Sequence, residues 1–399
     1  MSKQLLPIFL VVAVDVLGLT IILPLLPFYA ETLGATPVLV GLLFSCYAVC
    51  QLIAGPILGR LSDHYGRRPL LLISQMGTFI SFLMLANAQS LWMVFAARIL
   101  DGFTAGNLSL AQAYIADVTK PEERTHSFAI IGIAFGLGFL VGPGVSGFLA
   151  QFNYVFPIYA AAGLSAMSIA ATYFFLPSAE VRSERGKRAE LMNFSQFGRY
   201  FRDPVLGKRL LQFITFTLSF SAFMSGFPLF AERRFTWNGH PFGPKEVGYV
   251  YAFIGVVGIL QQGLLIRRLA KRFGDAPLVT FGFASAFTGL VFLAGVRDVP
   301  ALLLTATITS MGSGVLRPAL TSLITQSTSA SELGAVLGLT QSLQAISQII
   351  APFVSGLLIE HQALAGWALM AALPNVVGLL IGLSDVNRAR RLEKAPPAA

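Results

Sequence analysis

Continuous apolar runs of about 20 residues fill this chain, a length that matches the roughly 30 Å hydrocarbon core of a bilayer. Twelve can be marked, at approximately 5–30, 38–58, 70–88, 92–117, 127–151, 155–176, 209–231, 247–267, 277–296, 300–326, 333–359 and 364–383. The runs are unbroken rather than alternating, so helices and not barrel strands must satisfy their backbone groups in lipid. Hydrophobic residues make up 55% of the 399 and charged residues 12%. Ordinary soluble domains carry about 25% charged residues, so a soluble globule is excluded. The expected fold is an all-α membrane protein with 12 transmembrane helices.

A net charge of +9 raises nucleic acid as a partner, but the placement of the charges argues against it. Roughly 22 of the 28 Lys and Arg residues lie at the amino terminus, in alternate loops and in the tail, about four lie in the opposite loops, and two lie inside spans. Both termini are therefore expected in the cytoplasm, with the stretch from Arg182 to Arg209 and the tail residues Arg388, Arg390, Arg391 and Lys394 facing anionic lipid headgroups. The first run continues past Glu31 without a small-residue cleavage pattern, so it reads as a span rather than a cleavable leader. Cys46 and Cys50 stand at i, i+4 in span 2 and read as small buried residues, while His64, His126, His240 and His361 are scattered. Neither metal site nor catalytic dyad is expected. No Gly-x-x-x-x-Gly-Lys-Ser/Thr loop is present to hold ATP. No cofactor is expected, and energy must come from an ion gradient, a substrate gradient or a partner.

An internal repeat organises the chain. Arg60-Leu-Ser-Asp63-His-Tyr-Gly66 returns as Arg268-Leu-Ala-Lys271-Arg-Phe-Gly274, 208 positions on, and Gly142-Pro143-Gly-Val-Ser146-Gly147 returns as Ala351-Pro352-Phe-Val-Ser355-Gly356, 209 positions on. At the opposite ends of spans 1 and 7, Pro27-Phe-Tyr-Ala30-Glu31 answers Pro228-Leu-Phe-Ala231-Glu232. The reading is a six-helix bundle over 1–176, a basic cytoplasmic linker over 177–208, a second six-helix bundle over 209–383 and a cytoplasmic tail over 384–399. Two parallel six-span halves are a transporter architecture that rocks about a central site.

Between spans 2 and 3 sits a short basic turn, Gly59-Arg-Leu-Ser-Asp63-His-Tyr-Gly66-Arg67-Arg68-Pro69. Glycines are expected to close it, and its charges to form a conformational latch at the water interface, with Asp63 accepting from a helix terminus of the other half and Arg67 and Arg68 holding carboxylates or lipid phosphates. Span 5 carries Gly132, Gly136, Gly138, Gly142, Pro143, Gly144 and Gly147, suited to close helix approach and, through Gly142, Pro143 and Gly147, to bending. Simple tight packing is the alternative. These motifs, with Arg98-x-x-x-Gly102 in span 4, resemble the major facilitator superfamily and within it the drug/proton branch that includes the tetracycline/proton antiporters. The resemblance covers essentially the whole chain. It implies export, coupling to protons through an acid in span 1, and a place in a bacterial inner membrane.

Four charges lie deep in spans: Asp15, Arg98, Asp101 and Arg317. Each is expensive there and is a functional candidate for that reason. Asp15 has no basic neighbour within a turn of its own helix, and a lone buried carboxyl is suited to taking and releasing a proton; a hydrogen-bonded structural acid is the alternative. Arg98 and Asp101, at i, i+3, can neutralise each other. The resemblance suggests that Arg98 tunes both acids. Where the tetracycline exporters carry acidic or His residues in spans 3, 8 and 9, this chain has Ser81, Gln261 and Ser285, so tetracycline itself is not the expected substrate. Thr305, Thr309, Ser313, Arg317 and Thr321 form a polar stripe on span 10, and Gln341, Gln344 and Gln348 share a face of span 11. These two faces, with Gln261, are expected to line the substrate site, although hydroxyls of this kind also serve helix packing. A fixed guanidinium there favours a substrate with a carboxylate, phosphate or phenolate, or else a carboxylate partner such as Asp15 or Asp101 in one state of the cycle. Thirty-three Phe and nine Met supply adaptable apolar surface, and Trp92, Trp237 and Trp367, near span ends, read as interfacial anchors.

The expected protein is a monomeric, proton-coupled exporter of small amphipathic drugs or organic anions, with protons and membrane lipids as its other partners. An uncoupled facilitator or flippase for an anionic lipid or metabolite is the nearest alternative, and a channel or sensor a distant one. An enzyme is not expected, because no nucleophile, base and orienting group converge.

Overall fold

The computed structural model describes residues 5–118, 124–176, 194–261, 268, 272–329 and 332–393. Most of the basic linker, Lys271 and the end of the tail lie outside them. The chain is helical almost throughout: α1 (Leu5–Thr32), α2 (Pro37–Tyr65), α3 (Arg67–Ala86), α4 (Leu91–Thr104), α5 (Asn107–Val118), α6 (Arg124–Ala150), α7 (Val155–Phe175), α8 (Phe194–Arg202), α9 (Leu206–Arg234), α10 (Pro244–Gln261), α11 (Asp275–Gly295), α12 (Val299–Gln326), α13 (Leu333–Glu360) and α14 (Leu364–Glu393). Among the described residues nine helices are single, long and apolar enough to cross a membrane. Each of the other three expected spans also carries helix. Span 5 lies in α6, span 8 in α10, and span 4 is not the single helix expected but two, α4 and α5.

The ends of these helices follow local chemistry. Thr36 and Asp298 are extended N-caps whose side chains accept from Leu39 N and Ala301 N, with proline in the first turn of each helix. After α9, Asn238 and Gly239 take positive φ and turn the chain into a two-residue hairpin, Thr236–Trp237 with His240–Pro241. An Asn-Gly pair favours that turn, an element the apolar-run reading passed over.

Two compact units emerge: Met1–Met192 with Pro228–Gly255, and Asn193–Phe227 with Val256–Ala399. In the first, α1 packs on α6 and α7, α3 on α7, and α4 on α2 and α3. Its core gathers Ile8, Val11, Val12, Leu71, Leu110, Ala111, Tyr114 and Ile115. In the second, α11 lies against α12 and α14, over a core that includes Leu210, Phe213, Phe216, Val279, Phe283, Leu316 and Leu320.

Lipid tails provide little hydrophobic drive between helices, so close approach at small residues takes that role. A Cβ on Gly142 would lie 2.1 Å from Thr20 Oγ1, one on Gly289 2.2 Å from Thr309 Oγ1, and one on Gly226 2.2 Å from Trp367 Nε1. Trp367 is therefore not an interfacial anchor. It is fully buried, whereas Trp92 and Trp237 are exposed as expected.

The repeat is visible in backbone conformation. Gly66 and Gly274, 208 positions apart, both adopt positive φ, 95° and 78°. The residue after each reaches the end of a matching helix: Arg67 Nε to Asp117 at 2.9 Å in the first copy, Gln326 Nε2 to Asp275 at 3.2 Å in the second.

Candidate functional site

Span 4 breaks because its sequence allows it and span 3 completes it. Gly102, Thr104, Gly106 and Asn107 are weak helix formers, and residues 105–106 leave the helix. Ser74 of α3 supplies both lost partners: its hydroxyl donates to Thr104 O and its Oγ accepts from Gly106 N at 3.0 Å. A Cβ on Gly77 would sit 2.2 Å from Thr104, so only glycine lets α3 come this close. Irregular backbone at membrane depth survives only where protein satisfies it in this way.

Asp15 sits beside the break. Its carboxyl group is within hydrogen-bonding reach of Ser168 on α7, Gln75 on α3 and Asn107, the first residue of α5. Gln75 Nε2 also donates to Ser168 Oγ at 2.8 Å. Gln75 Oε1 and Asn107 Oδ1 are buried with no hydrogen-bond partner among the described residues.

Asp101 acts on Asp15 electrostatically. It is paired with Arg98, Nη1 to Oδ2 at 2.8 Å, with the two residues only 4% and 5% exposed. The Arg98 guanidinium also lies over the Tyr47 ring, 4.2 Å from its centroid, and Thr78 and Ser81 are within hydrogen-bonding reach of Asp101. The local pairing read from the i, i+3 spacing is thus formed. Ser81 is part of this polar group, as are Tyr47, Gln75, Thr78, Asn107 and Ser168, none of which the charge-based reading singled out. Their signal was weak, because single Ser, Thr, Asn and Gln residues in apolar runs more often serve packing.

The second unit holds the other predicted set. Arg317 is exposed and its Nη2 donates to Gln344 Oε1 at 3.3 Å, joining α12 to α13. Gln341 is exposed and Gln348 half-buried on the same helix. Gln261 is buried, donates to Met311 O at 2.6 Å and lies against Gly314. Ser313 donates to Ser310 O at 3.4 Å in its own helix. The span 10 stripe does not act as one surface. Thr305 and Thr309 are buried under Gly289, which makes that end of the stripe helix packing.

The basic turn is shorter than expected. Helix α2 runs on to Tyr65, so Gly59 is a helical residue with open space around it, and Gly66 alone makes the turn. Its charges are engaged inside the first unit. Arg67 pairs with Asp63 at 2.5 Å and with Asp117 at 2.9 Å, and Arg68 donates to Tyr173 O while stacking over that ring. In span 5 the helix is continuous through Pro143. Gly142 fits against Thr20, and Gly147 fits against the backbone of Pro244 and Lys245. At the far end of the first span, Arg233 grips Glu31 at 2.6 Å and Glu232 at 2.8 Å, the two glutamates that the repeat aligns.

Among the described residues no three His, Cys, Asp or Glu are grouped to hold a metal. The family model for the Major Facilitator Superfamily matches residues 8–352 and 263–398. The chain belongs to the Major Facilitator Superfamily.

It is 30% identical to the class D tetracycline resistance protein of Salmonella ordonez over all of both chains, and 29% identical to the class B protein of Escherichia coli over 87% of this chain and 86% of that one. Multidrug resistance protein 2 of Bacillus subtilis is 26% identical over 95% of this chain and 94% of its own length. Among solved structures, a human organic anion transporter aligns with a TM-score of 0.69 at 24% identity, covering 94% of this chain and 99% of that one. A peptide transporter in complex with sulfate aligns with a TM-score of 0.75 at 15% identity, covering 98% and 94%. These two share the fold. The chain is a multi-pass membrane transporter of this superfamily and not an enzyme.

Proposed function

We propose that this transporter exports amphipathic drugs or organic anions in exchange for protons, by alternating access, across a bacterial inner membrane with both termini in the cytoplasm. The observation that carries the reading is the Asp15 group: a carboxyl surrounded by neutral amides and a hydroxyl at a break in span 4, with Arg98 committed to Asp101. Such a carboxyl can exchange a proton without breaking an ion pair. Arg98 sets the local field through Asp101. Arg317 holds the anionic group of the substrate, oriented by Gln344, with Gln341, Gln348, Gln261 and Ser313 offering further polar contacts. Asp63, Gly66, Arg67 and Arg68 form a latch whose ion pairs must rearrange as access changes, and the glycines of span 5 let helices slide while staying in contact.

Support comes from the relatives, which are named for tetracycline and multidrug resistance. The resemblance that leaves Ser81, Gln261 and Ser285 without the charge expected of a tetracycline exporter argues against tetracycline itself as the substrate. The test is uptake by purified protein in liposomes under imposed pH gradients. Wild type should concentrate an anionic amphipath only with the gradient, Asp15→Asn should uncouple proton movement, and Arg317→Ala should lose anionic substrates. Proton movement unchanged in Asp15→Asn would remove that acid from the coupling role. Substrate flux indifferent to the gradient in wild type would point to an uncoupled facilitator instead.

A further inference from the structure

We propose that Gln75 and Asn107 read the protonation state of Asp15 and pass it to the break in span 4, making them positioning residues of the transport cycle. The inference rests on the reading of Asp15 as the proton carrier and adds how its charge moves a helix.

An ionised carboxylate only accepts hydrogen bonds, whereas a protonated one also donates. Around Asp15 the groups able to donate are the amides of Gln75 and Asn107 and the hydroxyl of Ser168, which here donates to Val11 O at 3.4 Å. That set suits the ionised form. It leaves two buried acceptors, Gln75 Oε1 and Asn107 Oδ1, with no hydrogen-bond partner among the described residues. Gln75 is fully buried, so neither solvent nor a chance surface contact accounts for its unused oxygen, and an unmade hydrogen bond of this kind is costly.

When a proton from water arrives on Asp15, its new O–H needs an acceptor. A half-turn of either amide presents the unused carbonyl, and no covalent bond other than that O–H is made or broken. For Gln75 the half-turn removes the Nε2 donor from Ser168 and lets that hydroxyl donate to Oε1, so α3 and α7 exchange one hydrogen bond for another. For Asn107 the consequence is larger. It is the first residue of α5, directly after the Gly106 N–H that Ser74 holds at 3.0 Å. Turning its side chain works against a backbone that leaves the helical path at 105–106, where the Gly106 N–H is shared between Ser74 Oγ and Thr104 O. The helix N-terminus of α5 also favours an anionic Asp15 and loses that attraction when the proton binds. The charged groups facing Asp15 are Asp101 on α4 and, through it, Arg98. They are paired, so the amides carry the local response.

The full-length protein, purified in liposomes without any substrate, can be titrated by infrared difference spectroscopy. A protonated-carboxyl band absent from Asp15→Asn assigns the site. In wild type with 15N-labelled Asn and Gln side chains, amide bands should shift together with that carboxyl band. Asn107→Ala and Gln75→Met should each alter proton affinity by roughly tenfold, the size expected for losing one charge-assisted hydrogen bond. Spin labels on α4 and α5 should report a pH-dependent distance change that Ser74→Ala abolishes and Ser74→Thr retains. If Asp15 titrates while the labelled amides stay silent, or if both amide variants keep the wild-type midpoint, this inference is overturned and the coupling reading stands. If no band belongs to Asp15, the coupling reading falls first.

Discussion

Arg98 and Asp101 form the most deeply buried ion pair among those described, and at that depth the partners are worth more together than apart. Removing one leaves an uncompensated charge, at about 3–5 kcal/mol, whereas replacing both by apolar residues is close to neutral. Arg98→Met should therefore lower thermal stability in detergent sharply, and the Arg98→Met, Asp101→Leu double variant should recover most of it while remaining transport-deficient. A double variant as unstable as the single one would mean that the pair is not the unit. Gly66 is a second case. At φ 95° a side chain is strained, so Gly66→Ala should cost about 1–2 kcal/mol, and Gly59→Ala, inside a helix with open space around it, should be neutral or mildly stabilising. Asp15, Arg98, Asp101 and Arg317 were legible one by one because charge is rare in an apolar run. The amides and hydroxyls that surround Asp15 were not, because polar uncharged residues are common in membrane helices and nothing in their spacing marks which of them meet.

At the scale of elements, the break in span 4 and the close contact of spans 1 and 5 make opposite demands. The break needs a hydroxyl from another helix, and the contact needs no side chain at all. Gly142→Leu would push into Thr20, within 2.1 Å of even a first carbon, and should destabilise by more than about 2 kcal/mol or prevent accumulation of folded protein. Pro143 remains compatible with α6 because the helix continues past it. The start of span 7 offers a milder test. Asp203 accepts from Val205 N at 2.9 Å and Leu206 N at 2.7 Å, and these backbone donors hold its carboxyl below the usual carboxylate range. A depressed folded value means that the cap stabilises at neutral pH and is lost as pH falls through that value. Asp203→Ala should accordingly melt earlier than wild type at neutral pH and match it in strong acid. Most spans were legible to within a few residues from apolar length, although α2 and α14 continue well past the expected ends, to Tyr65 and Glu393. The discontinuity in span 4 was not, because four weak helix formers permit a break without requiring one, and the hydroxyl that completes it, Ser74, comes from a neighbouring helix.

At the scale of the molecule, the two copies of the repeat differ where charge is concerned. Arg67 meets Asp117 in one copy while Asp275 meets Gln326 in the other. At the far ends of spans 1 and 7, Arg233 holds the two aligned glutamates. Arg233→Gln leaves two carboxylates without their cation, and should raise the reactivity of a cysteine placed at Thr32 toward an impermeant thiol reagent by several-fold, with transport reduced. Unchanged reactivity would show that this triad does not hold that end closed.

The all-helical membrane fold, the repeat, the superfamily and the four charges within apolar runs follow from sequence alone, since each depends on local composition or on a pattern repeated along the chain. Tertiary structure decided that Gly59 is helical, that Trp367 is core, that part of the span 10 stripe is packing, and that Asp15 lies among Gln75, Asn107 and Ser168. Those outcomes depend on which helix faces meet. In a membrane, small residues and single hydrogen bonds determine that meeting, and they carry little information until the neighbouring helix is in place.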